Sequence, residues 1–213
     1  SPAMPECGGL KAVDLFSAMD AGQIKFVWIM GTNPVVSMPY REQVESALKK
    51  CDMVVVSDIV QSNDTLAFAD IALPATGWSE KDGTVTNSER RISRQRGIMP
   101  PPGEAKHDWQ IMCDVANKMG FASGFSYSHP SEIFDEHARL TAYKNDGARL
   151  LNLARLTGKS QAQYDAMAPV QWPLTINSDK TLSAVRPFHN KVFSTPTGKA
   201  NFVAVRFLPP TQV

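Results

Sequence analysis

The unbroken apolar run Phe26-Val27-Trp28-Ile29-Met30, stopped at once by Gly31-Thr32-Asn33-Pro34, constrains the fold of this chain more than any other feature. The run is too short for a membrane span and has no polar residues at helical spacing. It reads as a strand buried on both faces, the kind found in parallel sheets. In an open α/β sheet, ligands sit just beyond the carboxyl ends of such strands. Gly31 lets a ligand approach the backbone closely, and Asn33 offers both a donor and an acceptor. The plainer reading is a strand-to-helix turn, which every βα unit has.

Composition narrows the function classes. With 213 residues, 43% hydrophobic and 20% charged, the chain has room for one large domain, or one domain with extensions. A net charge of +1 gives no support to a nucleic-acid partner. Cys7, Cys51 and Cys113 lack CxxC spacing, so they form neither a disulfide framework nor an iron–sulfur or zinc ligand set. No apolar run approaches the ~20 residues of a membrane span, and no leader pattern opens the chain. The expectation is a soluble chain in a reducing compartment, with neither membrane nor nucleic acid as partner.

Taken in order, residues 1–9 are a Pro- and Gly-rich lead-in. Leu10–Met19 has helical apolar spacing and is stopped by Gly22. After the Gly-Thr-Asn-Pro turn, Tyr40–Lys50 is an amphipathic surface helix. Met53–Val56 is a second buried strand ended by Ser57-Asp58, Asp64–Ala69 a short helix, and Asp70–Pro74 a third strand. Strand–helix–strand repetition at this spacing predicts a parallel α/β sheet with helices on both faces. Trp78–Gln95 breaks the pattern as an excursion from the sheet edge. Its basic run Arg90, Arg91, Arg94 and Arg96 reads either as a solvated strand face or as a docking surface. Lys106–Met119 is a helix with Gly120 as its C-cap. Ser131–Tyr143 is a helix capped by Ser131, and Gly147–Leu156 and Gln161–Met167 are shorter ones. From Pro169 the chain is irregular, with a turn at residues 195–199 between extended segments. The expected organisation is a lead-in over 1–9, a dinucleotide-binding-like α/β domain over 10–168, and an irregular extension and linker over 169–213.

Polar groups fall at or after each strand end: Asn33, then Ser57 and Asp58, then Lys81. A carboxylate at a strand end accepts two hydrogen bonds from ribose hydroxyls, or from the N1–H and N2–H of guanine. Lys81 supplies a point charge for a phosphate or a purine carbonyl. The plainer alternatives are that Asp58 caps a turn and that Lys81 is solvated between Glu80 and Asp82. Asp108 stands in the first turn of its helix, where the helix dipole favours an acid; the alternative is that it reaches the same crevice. His107 adjoins it with no nucleophile placed for a triad, and His129, His137 and His189 lack ligand spacing. No Walker or GxGxxG phosphate loop is present.

The series WIMGTNP, VVVSD, ADIALPATGWSEKDGTVTNSERR and GEAKHDWQI resembles the molybdopterin-guanine-dinucleotide oxidoreductases. Within them it is most similar to the catalytic subunits of bacterial nitrate reductases. The phrases QYDAMAPVQWP (163–173) and FSTPTGKA (193–200) resemble the assimilatory, cytoplasmic branch. The resemblance implies a Rossmann-like domain that holds the guanosine end of a molybdopterin guanine dinucleotide carrying molybdenum. By motif position its cofactor contacts carry over to Asn33, Ser57, Asp58, Lys81 and Asp108.

The resemblance also implies that the chain is one piece of a larger enzyme. The family's cysteines for a 4Fe-4S cluster, its molybdenum-ligating cysteine and its C-terminal barrel have no counterpart motif here. On this reading the whole enzyme reduces nitrate to nitrite with two electrons, and the isolated chain is inactive. Its partners are the other domains of the same enzyme and an electron donor. Two rivals share the fold: a formate dehydrogenase fragment, and a non-catalytic structural module such as that in respiratory complex I.

Overall fold

The computed structural model describes residues 7–147, 149–176, 182–205 and 207. Contacts divide the chain into two compact units, Ser1–Lys81 with Arg96–Ser126, and Asp82–Gln95 with Tyr127–Val213. The stretch 10–168, read from sequence as one α/β domain, contributes to both.

The first unit contains α1 (Ala12–Asp20), β1 (Phe26–Met30), α2 (Pro34–Ser37), α3 (Arg41–Lys50), β2 (Met53–Asp58), β3 (Ile71–Pro74) and α4 (Asp108–Lys118). Its strands form a parallel sheet in the order β1-β2-β3, with Val27 opposite Val54 and Val55 opposite Ile71. This is the α/β arrangement that the apolar runs predict. Side chains alternate across the pleat. Val27, Ile29, Val54 and Val56 pack in one core with Phe16 and Met19 of α1, Val35 of α2, and Val44, Ala47 and Leu48 of α3. On the opposite face Val55 and Ser57 are buried, but Phe26 is 52% and Met30 38% exposed. β1, read as buried on both faces, is therefore buried on one. The reason is that α1, α2 and α3 all pack on the face of Val27 and Ile29.

Local chemistry sets the element ends. Gly22, at φ 75°, ends α1: the N–H groups of Gly22 and Gln23 close back on Met19 and Ala18. Asp20 accepts from Lys50 Nζ (2.7 Å) and Ser46 Oγ (2.6 Å), tying α1 to α3, and these bonds hold its carboxyl below the usual range. The short helix expected at Asp64–Ala69 is a single 3-10 turn, Leu66–Phe68. The chain leaves this unit after Lys81 and rejoins it at Arg96. There Ile98 N and Met99 N both donate to Ser79 O, at 2.7 and 3.1 Å. Gly97 lies so close to the Glu80 backbone that a Cβ would stand 3.1 Å from its carbonyl oxygen.

The second unit has an antiparallel sheet, order β4 (Gly83–Thr86), β5 (Arg91–Gln95), β6 (Val170–Gln171), with α5 (Pro130–Ala142) and α6 (Gln161–Asp165). A further antiparallel pair joins β7 (Leu174–Ile176) to β8 (Leu182–Ala184). The stretch from Pro169, read as irregular, thus carries three short strands. The core gathers Ile92, Phe134, Ala138, Leu153, Leu156, Tyr164 and Met167. α5 is capped by His129 rather than Ser131, the ring Nδ1 accepting from Ser131 N. The helix expected over Gly147–Leu156 is only a 3-10 turn, Ala154–Leu156. Buried Asn145 ties this stretch to α5: it donates to Thr141 O and Leu151 O and accepts from Arg149 N.

Arg94 departs furthest from a solvated strand face. Its side chain is 2% exposed and reaches Asp82 at 2.7 Å and Asp165 at 3.1 Å. Its guanidinium lies 4.0 Å from the centroid of the Tyr164 ring. Arg91 pairs with Glu89, and Arg90 donates to Trp172 O.

Two outcomes follow. Val56→Asp sets an unpaired carboxylate among the core groups of β2, α1 and α3, so its cost of several kcal/mol should unfold the first unit, read by circular dichroism. Burial pushes the Tyr164 phenol above its ordinary 10.0, although the Arg94 guanidinium pulls the other way. Folding therefore favours the protonated phenol. This stability is present below pH about 10 and is lost as pH rises through the higher native value. Urea midpoints should fall across that window in the wild-type chain, and Tyr164→Phe should flatten the slope.

Candidate functional site

The carboxyl edge of the parallel sheet is built from three strand exits. After β1, Gly31 takes φ 60°, a left-handed conformation that suits glycine, and its N–H donates to Ser57 O at 2.9 Å. No atom lies within 4 Å of where a Cβ would stand, so the backbone there is open to close approach. Asn33 ends the turn before α2, and its Oδ1 accepts from Thr65 Oγ1 at 2.7 Å. Thr65 is fully buried and also accepts from Val35 N, anchoring the loop after β2 to the loop after β1. Asn33 Nδ2 donates to nothing among the described residues.

β2 delivers Ser57 and Asp58. Ser57 is 1% exposed, and its hydroxyl accepts the Trp28 indole N–H at 2.8 Å. Asp58 Oδ1 accepts from Ile59 N at 2.6 Å and Oδ2 from Asn63 Nδ2 at 2.9 Å, while Asn63 Oδ1 accepts from Leu66 N. Asp58 thus organises the turn that follows it. Each of its oxygens keeps a second lone pair.

Beyond β3, Lys81 Nζ meets Asp108 Oδ2 at 2.6 Å, both side chains about one-third exposed. Lys81 is therefore not simply solvated between its acidic neighbours. Glu80 is turned to Gly77 N, and Asp82 to Arg94. A backbone thread joins the two parts of the edge. Ala75 N donates to Asp58 O, Thr76 N to Lys106 O, and Thr76 Oγ1 lies 3.0 Å from His107 Nδ1. His107 caps α4, whose first residue is Asp108.

The five sequence-derived residues thus fall into two groups along one edge. Asn33, Ser57 and Asp58 stand at the exits of β1 and β2, and Lys81 and Asp108 form an ion pair beyond β3. Sequence reasoning missed the supporting set of Trp28, Asn63, Thr65, Thr76 and His107. It also passed over Trp109, whose buried Nε1 has no hydrogen-bond partner among the described residues. The alternation of Trp28 with the core-facing Val27 and Ile29 was a usable signal, since it places the indole on the face that Ser57 shares.

A parallel α/β sheet whose carboxyl edge carries polar side chains is a Rossmann-like arrangement. A family model described as "Molybdopterin oxidoreductase" matches residues 6–118, and the chain belongs to this family. It is 49% identical over 189 residues to a nitrate reductase of Klebsiella oxytoca, covering 89% of this chain and 22% of that protein. It is 38% identical over 184 residues to the alpha subunit of a formate dehydrogenase of Methanocaldococcus jannaschii, covering 86% of this chain and 25% of that protein. The chain thus spans about a fifth to a quarter of the length of these curated relatives. Among solved structures, acetylene hydratase from Pelobacter acetylenicus superposes with a TM-score of 0.61 at 20% identity, over 88% of this chain and 23% of that one, a likeness of fold.

The family implies a molybdenum–pterin cofactor. The residues present fit the polar part of such a group: an open glycine backbone at Gly31, an Asn33 amide N–H that is unengaged among the described residues, carboxylate lone pairs on Asp58 and the Lys81 ammonium. Among the described residues no group of three His, Cys, Asp or Glu side chains could hold a metal ion.

The Trp28–Ser57 bond gives a stability test of the site's frame. Ser57→Ala leaves a half-buried indole N–H without an acceptor and should cost about 1–3 kcal/mol in urea unfolding. In a cycle with Trp28→Phe the double variant should lose less than the sum of the single variants, because they break one shared bond.

Proposed function

We propose that this chain is the portion of a molybdenum nitrate reductase that holds the guanosine end of a molybdopterin guanine dinucleotide. The whole reaction on this reading consumes nitrate, two electrons and two protons and yields nitrite and water. When bound, the molybdenum–pterin group supplies the redox chemistry, and this chain supplies binding and orientation. The observation that carries the reading is the unspent hydrogen-bonding capacity at the strand exits of a family member: among the described residues Asn33 Nδ2 has no partner, and both Asp58 oxygens keep a lone pair. Asp58 accepts from guanine or ribose donors, and Asn33 donates to an acceptor on the nucleotide. Lys81, held by Asp108, turns its remaining N–H donors to a phosphate or a carbonyl. Ser57 acts chiefly through Trp28, fixing the β2 exit that presents Asp58.

Nitrate is favoured as substrate by the 49% identity to a nitrate reductase against 38% to a formate dehydrogenase; the second relative keeps formate oxidation as the alternative. The further parts of the reading come from the resemblance. They are a 4Fe-4S cluster and the molybdenum ligand in other domains of the same enzyme, a separate electron donor, and a cytoplasmic, assimilatory role. No helix among the described residues is long and apolar enough to cross a membrane.

Two variants of the complete enzyme test the site. Asp58→Asn trades a charge-assisted acceptor, worth roughly 1.5–3 kcal/mol, for a weaker one, so the cofactor should dissociate about one to two orders of magnitude more readily. Asn63→Ala loosens the same turn but leaves the carboxylate intact. Guanine nucleotide and molybdenum content should fall in the first variant and stay normal in the second, at similar small losses of melting temperature. Normal content in Asp58→Asn would make Asp58 a turn organiser only. Assays with nitrate and with formate decide between the two substrates.

A further inference from the structure

Trp78 is 71% exposed, yet it stands on a turn whose backbone is held from both sides. We propose that its indole is a stacking platform for the purine base of a nucleotide whose carbonyl or phosphate oxygens meet Lys81. The inference rests on the reading of the strand exits as a nucleotide site, and not on nitrate as the substrate.

The bracing is local. Gly77 N donates to Glu80 Oε2 at 2.6 Å and Glu80 N to Gly77 O at 3.2 Å, closing the 3-10 turn Trp78–Glu80. Ser79 O accepts from Ile98 N and Met99 N, and Gly97 approaches the Glu80 backbone closely. Ahead of the turn, fully buried Thr76 donates its N–H to Lys106 O and lies 3.0 Å from His107 Nδ1. The indole itself keeps most of its surface in water. Trp28, Trp109 and Trp172 are all half-buried. A large aromatic side chain left in water forgoes the free energy that its burial would bring. A rigid turn that presents one is suited to a ligand.

The turn also aligns the two groups. Side chains three residues apart stand above one another in 3-10 geometry. Trp78 opens the turn and Lys81 caps it, so both project from one face. Lys81 Nζ gives one of its three donors to Asp108 Oδ2, and no other acceptor takes the remaining two among the described residues. An aromatic face beside an ammonium receives a base on the first and its oxygen acceptors on the second. Stacking of this kind needs no particular hydrogen-bond pattern, because every base has a π-face. Ile98 and Met99 are exposed too, so a protein surface laid over Trp78 is the rival occupant. The spare donors of Lys81 favour a ligand that brings acceptors.

The test is calorimetric titration of this chain with guanosine 5′-monophosphate, with indole emission followed in parallel. Trp78→Ala and Trp78→Leu should each bind it about tenfold more weakly than the wild type. Trp78→Phe, which keeps a π-face, should stay within about threefold. Emission of the wild type should be quenched on binding, and most of that quenching should disappear in Trp78→Phe. Urea midpoints of all three variants should match the wild type, since the side chain is exposed. Unchanged affinity in Trp78→Ala would overturn the inference while leaving the nucleotide reading of the edge in place. Wild-type affinity in Trp78→Leu would also overturn it, reducing Trp78 to an apolar contact. Failure of the wild type to bind the nucleotide at all would remove the nucleotide reading and this inference with it. In the complete enzyme, guanine nucleotide content should fall in Trp78→Ala and hold in Trp78→Phe. Normal content in Trp78→Ala with a lowered melting temperature would assign Trp78 to a protein contact and overturn the platform.

Discussion

Both edges of β2 are hydrogen-bonded, to β1 on one side and to β3 on the other, and the site depends on that double pairing. A strand held on both sides cannot slip by one residue without turning Val54 and Val56 out of the core. The register therefore fixes Ser57 as a buried residue and Asp58 as the one that emerges. The Trp28–Ser57 bond and the Thr65 anchor then set how the exits of β1 and β2 stand beside each other.

The first unit was largely legible in the sequence because its elements are local and periodic. The runs at 26–30 and 53–56 announce strands, and Val44, Ala47 and Leu48 mark the buried stripe of α3, with Gly22 and Gly120 marking ends. The second unit was much less legible because its sheet pairs residues far apart in sequence. Ile92 meets Val170, and that pairing has no short-range signature. Arg94 misled for a related reason. A basic run suggests solvent, but Asp82, Asp165 and Tyr164 come together only after folding and surround one buried guanidinium, whose Nε has no partner among the described residues. Where a helix was expected at 147–156 the described residues form only the turn Ala154–Leu156, and Leu151 O is taken by the buried Asn145 side chain.

The candidate site shows the same division. Strand-end position places Asn33, Ser57 and Asp58 together from sequence, since the exits of parallel strands share one edge. What each side chain does was not readable. Ser57 serves a tryptophan twenty-nine residues away, and Asp58 is already half-engaged by Asn63. Lys81 and Asp108 are twenty-seven residues apart and meet because the chain rejoins the first unit at Arg96 and runs on into α4. Partners set by tertiary closure leave no spacing rule.

The pinch at Ser79, Glu80 and Gly97 bears on how this architecture can change over evolutionary time. The chain exits and re-enters the first unit at almost one point, with Ile98 and Met99 bonded to Ser79 and a tight approach of Gly97 to the Glu80 backbone. Residues 82–95 therefore have the character of an insertion whose ends are already joined, and its length bears only weakly on closure of the host unit. A change of length at the turn between β4 and β5 leaves the parallel sheet and its carboxyl edge as they are, while Ile92 and Arg94 hold the two strands in the second unit.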